Sequence, residues 1–117
     1  MEPTVEVFVL DHLRADTRLV RVRGALDDPA AAEVHMLVEL MRASLELDML
    51  LLDLTELTEF GPSAVGTVVR LAVDLGDAGV GLSLVARDSL VGSALADACV
   101  RVLFELHGSI DEALALR

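Results

Sequence analysis

Met49-Leu50-Leu51-Leu52-Asp53-Leu54, continuing into Thr55-Glu56-Leu57-Thr58-Glu59-Phe60-Gly61-Pro62-Ser63-Ala64-Val65-Gly66, is the stretch that decides the fold. Its first six residues are nearly all apolar, as expected of a central strand covered on both faces. Asp48 and Asp53 bracket the densest run, which is far too short to span a bilayer. Gly61-Pro62 then predicts a helix start, because proline is pre-organised for the first helical position. Val65, Val68, Val69, Ala72 and Leu75 give that helix one apolar stripe, and Gly76 and Gly79 end it.

The same alternation continues on both sides. Downstream, Val80 to Ala86 reads as a strand. Asp88 or Ser89 caps a third helix bearing Val91, Ala94, Leu95 and Ala98, and Leu103 to Leu106 reads as a short strand. Ser109 and Glu112 form a capping-box pattern that starts a final helix to about Leu116. Upstream, Val5 to Leu10 is rich in strand formers. In Leu19 to Arg23, Val20 and Val22 alternate with Arg21 and Arg23, the mark of a half-solvated strand antiparallel to the first. Gly24 breaks that strand, and Asp28-Pro29 reads as an N-cap followed by proline. The helix so begun places Val34, Leu37, Val38, Met41 and Leu45 on one stripe, with Glu39 and Arg42 at pairing distance on the other side. The order β-β-α-β-α-β-α-β-α predicts an α/β fold with a mixed central sheet of about five strands and about four helices. No linker or repeat divides residues 1–117, which read as a single domain.

Composition narrows the function. Of 117 residues 54% are hydrophobic, enough to offset the ordering entropy of a folded chain, which excludes disorder. Twenty acidic residues oppose nine basic ones for a net charge of −11, which argues against nucleic acid, whose phosphates need a basic stripe. All nine basic residues are arginine, so lysine-dependent chemistry is excluded. The first residues show no basic segment leading into an apolar one, so no secretory signal is expected and the chain reads as cytoplasmic. Cys99, lying among Ala96, Ala98 and Val100, is expected to be a small buried thiol.

No catalytic or metal-binding constellation emerges. His12, His35 and His107 are scattered, none at metal-ligand spacing from a cysteine or carboxylate. Gly76-Asp77-Ala78-Gly79-Val80-Gly81 follows a helix and precedes a strand, the reverse of a phosphate cradle. Acidic pairs such as Asp27-Asp28 and Asp111-Glu112 fall at helix starts, where the macrodipole favours them. Asp53 at a central strand end suggests the phosphoacceptor of a receiver domain. That reading fails for want of a lysine and of an acidic pair after the first strand, which ends in Asp11 alone. The chain is therefore expected to be no enzyme, with no cofactor and no metal.

The segment Asp53 to Gly66 resembles the core motif of STAS domains, the anti-sigma factor antagonist family. Asp53-Leu54 fit the family's strand end and Gly66 the last glycine of its helix-opening motif. Gly24-Ala25-Leu26-Asp27 resembles the family's glycine-x-leucine-aspartate turn. Leu103 to Leu106 with Ser109 and Glu112-Ala113-Leu114 resembles its C-terminal end. The resemblance implies a STAS-like fold, a cytoplasmic bacterial regulator of transcription, and a partner that is an anti-sigma factor or related ATP-binding serine kinase. It also implies a short loop between Leu54 and the helix. The chain departs from the pattern where the switch resides. Gly61 replaces the family's aspartate, Pro62 the serine that is phosphorylated, and Ala64 a glycine; Ser63 fills the second serine position. Proline preserves a helix start while removing the hydroxyl. Ser63 is left as a substitute phosphoacceptor, turned by about 100° around the helix; Thr55 and Thr58 are weaker candidates.

From Asp27 to Glu59 nine acidic residues face Arg42 alone, so this segment holds −8 of the net charge. Asp27, Glu56 and Glu59 are the candidates for steering a basic partner. Phe60 reads first as a core plug and second as an interface residue. With Gly61, Pro62, Ser63 and Ala64 these make up the expected partner-binding segment. Three functions compete: an antagonist without its switch, a STAS-type scaffold or accessory subunit of a transporter or signalling complex, and, last, a small-molecule or nucleotide binder. No membrane insertion is expected, and self-association is left open.

Overall fold

The computed structural model describes residues 4–8, 17–44, 47–87, 89–100 and 104–115. The expected positions Val9, Leu10, Asp11, His12, Leu45, Glu46, Asp88, Leu103 and Leu116 lie outside the described residues. Five strands form one sheet in the order β1 (Thr4–Phe8), β2 (Thr17–Ala25), β3 (Met49–Glu59), β4 (Gly81–Val85) and β5 (Glu105–His107). β1 pairs antiparallel with β2, as the Val20/Val22 alternation predicts, and every later pairing is parallel. The helices are α1 (Asp28–Ser44), α2 (Pro62–Asp77), α3 (Ser89–Asp97) and α4 (Ile110–Ala115). None among the described residues is long and apolar enough to cross a membrane.

The pleat sorts the strand residues to two faces. Val20, Val22, Leu50, Leu52, Leu54 and Leu84 pack with Val34, Val38 and Met41 of α1, Val68, Leu71 and Leu75 of α2, and Val91 and Leu95 of α3. Leu19, Met49, Leu51 and Val85 point the other way, under Ile110 and Ala113 of α4. Leu50, Leu51 and Leu52 are all fully buried, so the central strand is covered on both sides.

Local expectations are corrected at three places. β3 does not end at Leu54. It runs on to Glu59, so Thr55 and Thr58 lie on a strand. The cause is β2, which Gly24 bends instead of breaking: with φ +84 it sits at a register irregularity, and β2 continues to Ala25 opposite Glu59. α1 is capped by Asp27, whose carboxylate accepts from Ala30 N–H at 3.0 Å, which makes Asp28 the first helical residue. Cys99 is exposed, with φ +61.

The helix ends explain that last correction. At the end of α2, Val80 N–H reaches Leu75 O at 2.8 Å and Gly79 N–H reaches Gly76 O at 3.1 Å, a Schellman motif around a left-handed Gly79 (φ +76). At the end of α3, Val100 N–H reaches Leu95 O at 3.0 Å and Cys99 N–H reaches Ala96 O at 2.9 Å. Cys99 thus occupies the position that glycine fills in α2, and that turn points its side chain to solvent. The final helix is capped by Ser109 Oγ, which accepts from Glu112 N–H at 3.0 Å, while the Glu112 carboxylate accepts from Gly108 N–H at 3.2 Å.

Candidate functional site

The carboxyl ends of β2 and β3 bring the starts of α1 and α2 together. Gly61 caps α2 with extended backbone and no side-chain bond, and Pro62 occupies the first helical turn, where its missing N–H costs nothing. Gly61, Pro62 and Ser63 are exposed, whereas Ala64 is buried beneath them and seats the helix on the core. Ser63 Oγ donates to Asp28 Oδ1 at 2.8 Å, linking the first turns of α2 and α1. The site therefore holds Asp27 and Asp28 on one side, Glu59 at the end of β3, and Pro62-Ser63 facing them.

The expected steering carboxylates are not equivalent. Asp27 commits one oxygen to the α1 cap. Glu56 accepts from Arg23 Nε at 2.9 Å and lies 3.5 Å from Arg21 Nε, so its charge is largely compensated. Glu59 is exposed and has no ion-pair partner among the described residues. Asp28, expected only as a helix cap, has Ser63 as its partner across the site.

Below this rim, Asp53 is 1% exposed and accepts from Arg21 Nε at 2.8 Å. Its second oxygen accepts from Thr55 N–H at 3.0 Å and Thr55 Oγ1 at 2.7 Å. Both oxygens of this carboxylate thus accept, from three donors in all, and it braces β2 against β3. Thr58 adds a second brace, its hydroxyl donating to Gly24 O at 3.0 Å.

Phe60 is buried, as a core plug should be, yet its edge also lines a cleft of about 440 Å³ beside the α2 start. Gly61, Pro62 and Val65 form one wall of the cleft and Ala94, Asp97 and Ala98 the other. The α3 wall had no sequence signal, since Ala94 and Ala98 read only as core stripe. Among the described residues no group of three His, Cys, Asp or Glu side chains is placed to hold a metal ion.

No protein-family model and no curated protein matches the chain. Solved structures do. An anti-sigma factor antagonist from Mycobacterium paratuberculosis superposes with a TM-score of 0.79 at 21% identity, over 98% of this chain and 93% of that one. The anti-sigma factor antagonist SpoIIAA in its unphosphorylated form gives 0.78 at 14% identity, over 97% and 95% of the two chains. A Thermotoga maritima protein assigned to the anti-sigma factor antagonists gives 0.78 at 15% identity, over 96% and 92%. At these identities the likeness is one of architecture: the chain has the STAS fold of the anti-sigma factor antagonists.

Proposed function

We propose that the chain is a non-enzymatic, protein-binding regulator of the anti-sigma factor antagonist type. It docks on an anti-sigma factor or related ATP-binding serine kinase through the end of β3 and the start of α2, with the usual phosphoserine switch absent. The observation that carries this reading is the state of the α2 start, where Pro62 has no hydroxyl and Ser63 already donates its own to Asp28. A phosphate on Ser63 would add close to two negative charges within hydrogen-bond range of the Asp28 carboxylate and beside Asp27. The helix dipole would favour that anion, but the two carboxylates oppose it at shorter range. The fold shared with three antagonist structures supports the general role.

The test is to titrate the purified chain with each anti-sigma factor of its own cell, with Mg-ATP present, following binding by calorimetry and phosphate by mass spectrometry. A stable complex with an unmodified chain is expected. Stoichiometric phosphate on Ser63, or no complex with any of them, would overturn the reading.

A further inference from the structure

The outer face of α1 runs against the usual pattern of a surface helix. Val34, Val38 and Met41 are buried against the sheet. At about 100° per residue, Pro29, Ala32, Met36, Leu40 and Ala43 fall within about 40° of a single line on the opposite side. All five are exposed, and Met36 and Leu40 are each 57% exposed, one helical turn apart. α1 is therefore apolar on two opposed faces, one buried against the sheet and the other exposed. Single exposed apolar residues such as Val73 of α2 are ordinary, but a contiguous strip along a helix marks an interaction surface. Glu33 and Glu39, both exposed, edge the strip on either side, and Arg42, paired with Glu39 at 2.7 Å, lies further round.

We infer that this strip is a second docking surface, and that its occupant is a basic amphipathic helix of a protein partner. The Glu33 edge and the net charge select the occupant, since the Glu39 edge already carries Arg42. If a second copy of the chain packed here antiparallel about a two-fold axis, Glu33 edge would meet Glu33 edge, between molecules of net charge −11. An apolar stripe flanked by lysine or arginine instead satisfies both the Met36-Leu40 ridge and the Glu33 edge. This surface stands whether or not the α2 start binds an anti-sigma factor, because it uses none of that site's residues.

The test uses the full chain and a synthetic leucine–lysine peptide with leucines at helical spacing, with its leucine–glutamate counterpart as control. NMR shifts are expected at the Met36 methyl and along α1 with the lysine peptide and not with the glutamate one. M36S/L40S should weaken binding by about tenfold or more, the loss expected when two interface anchors are truncated. M36L/L40M should retain binding, and V73S should leave it unchanged. Unaltered affinity in M36S/L40S, or shifts confined to another surface, would overturn the inference. So would a wild-type dimer in sedimentation that M36S/L40S converts to monomer, since the occupant would then be a second copy.

Discussion

Arg21 Nε donates to Asp53 Oδ2 at 2.8 Å across the β2–β3 ladder, and the carboxylate is 1% exposed while the guanidinium side chain keeps 24% of its surface. The asymmetry predicts unequal losses. R21M leaves a buried carboxylate with only the two Thr55 donors, and should destabilise the fold by roughly 3 kcal/mol. D53N keeps the size of the side chain and an acceptor for Thr55, and Arg21 retains Glu56 at 3.5 Å, so its loss should be about 1–2 kcal/mol. Urea unfolding of both variants checks the order; D53N losing more than R21M would mean that the pair is not the brace it resembles.

Ser63 and Asp28 give a coupling that can be measured without any partner. S63A alone should change stability by about 0.5 kcal/mol or less, because the bond is exposed. S63D places a charge at the α2 start, which the dipole favours, but directly against Asp28. In wild type these effects should nearly cancel, whereas in a D28N background S63D should stabilise, with a coupling of about 1 kcal/mol in a double-mutant cycle. A coupling of zero would show that Asp28 does not oppose an anion there.

On the proposed reading, Pro62 is the residue that removes a phosphoserine switch from this chain. P62S should keep the fold and lower stability by about 0.5–1 kcal/mol, mainly through a freer unfolded chain. With the partner kinase and ATP, P62S should take up phosphate that the wild type does not, read by intact mass. Equal uptake by both proteins would place the acceptor elsewhere.

Why the architecture was readable and the site only partly so follows from the range of the interactions. The apolar run Leu50 to Leu52 and the stripe Val65, Val68 and Leu75 are local patterns, and both land on the core as expected. The extension of β3 through Thr55, Glu56, Thr58 and Glu59 is not local. Those residues are all polar, and their pairing runs past two register irregularities in another strand, one between Arg21 and Arg23 and one between Gly24 and Ala25. The Ser63–Asp28 bond spans 35 residues, and the α3 wall of the cleft is further away in sequence still. Cys99 departs from its sequence pattern for the opposite reason. Its neighbours are apolar, but the left-handed turn at the end of α3 decides its exposure.

That turn supplies its own prediction. Cys99 holds φ +61 at the position where α2 uses Gly79, and a side chain there carries a steric cost that glycine escapes. C99G should therefore stabilise the protein by roughly 0.5–1 kcal/mol despite its freer unfolded chain, and C99V should destabilise it by a similar amount or more, since β-branching worsens the clash. Thermal unfolding under reducing conditions distinguishes them. If C99G lowered the melting temperature, the turn would not be under strain.

Steering of a basic partner should depend on Glu59 more than on Glu56. Both are exposed acidic residues near the end of β3, but Glu56 is held by Arg23 and Arg21 whereas Glu59 has no ion-pair partner among the described residues. Neutralising either residue changes the net charge by one, so what separates them is place: Glu59 ends β3 beside the α2 start, whereas E56K would also strand Arg21 and Arg23 and cost stability. The neutral pair E59Q and E56Q is therefore the cleaner comparison. E59Q should slow association with the anti-sigma factor a few-fold at low salt and leave dissociation nearly unchanged, with the difference vanishing as ionic strength rises. E56Q should slow it less. Stopped-flow association rates across a salt series decide this; a wild-type on-rate independent of salt would mean that the acidic segment does not steer a partner at all.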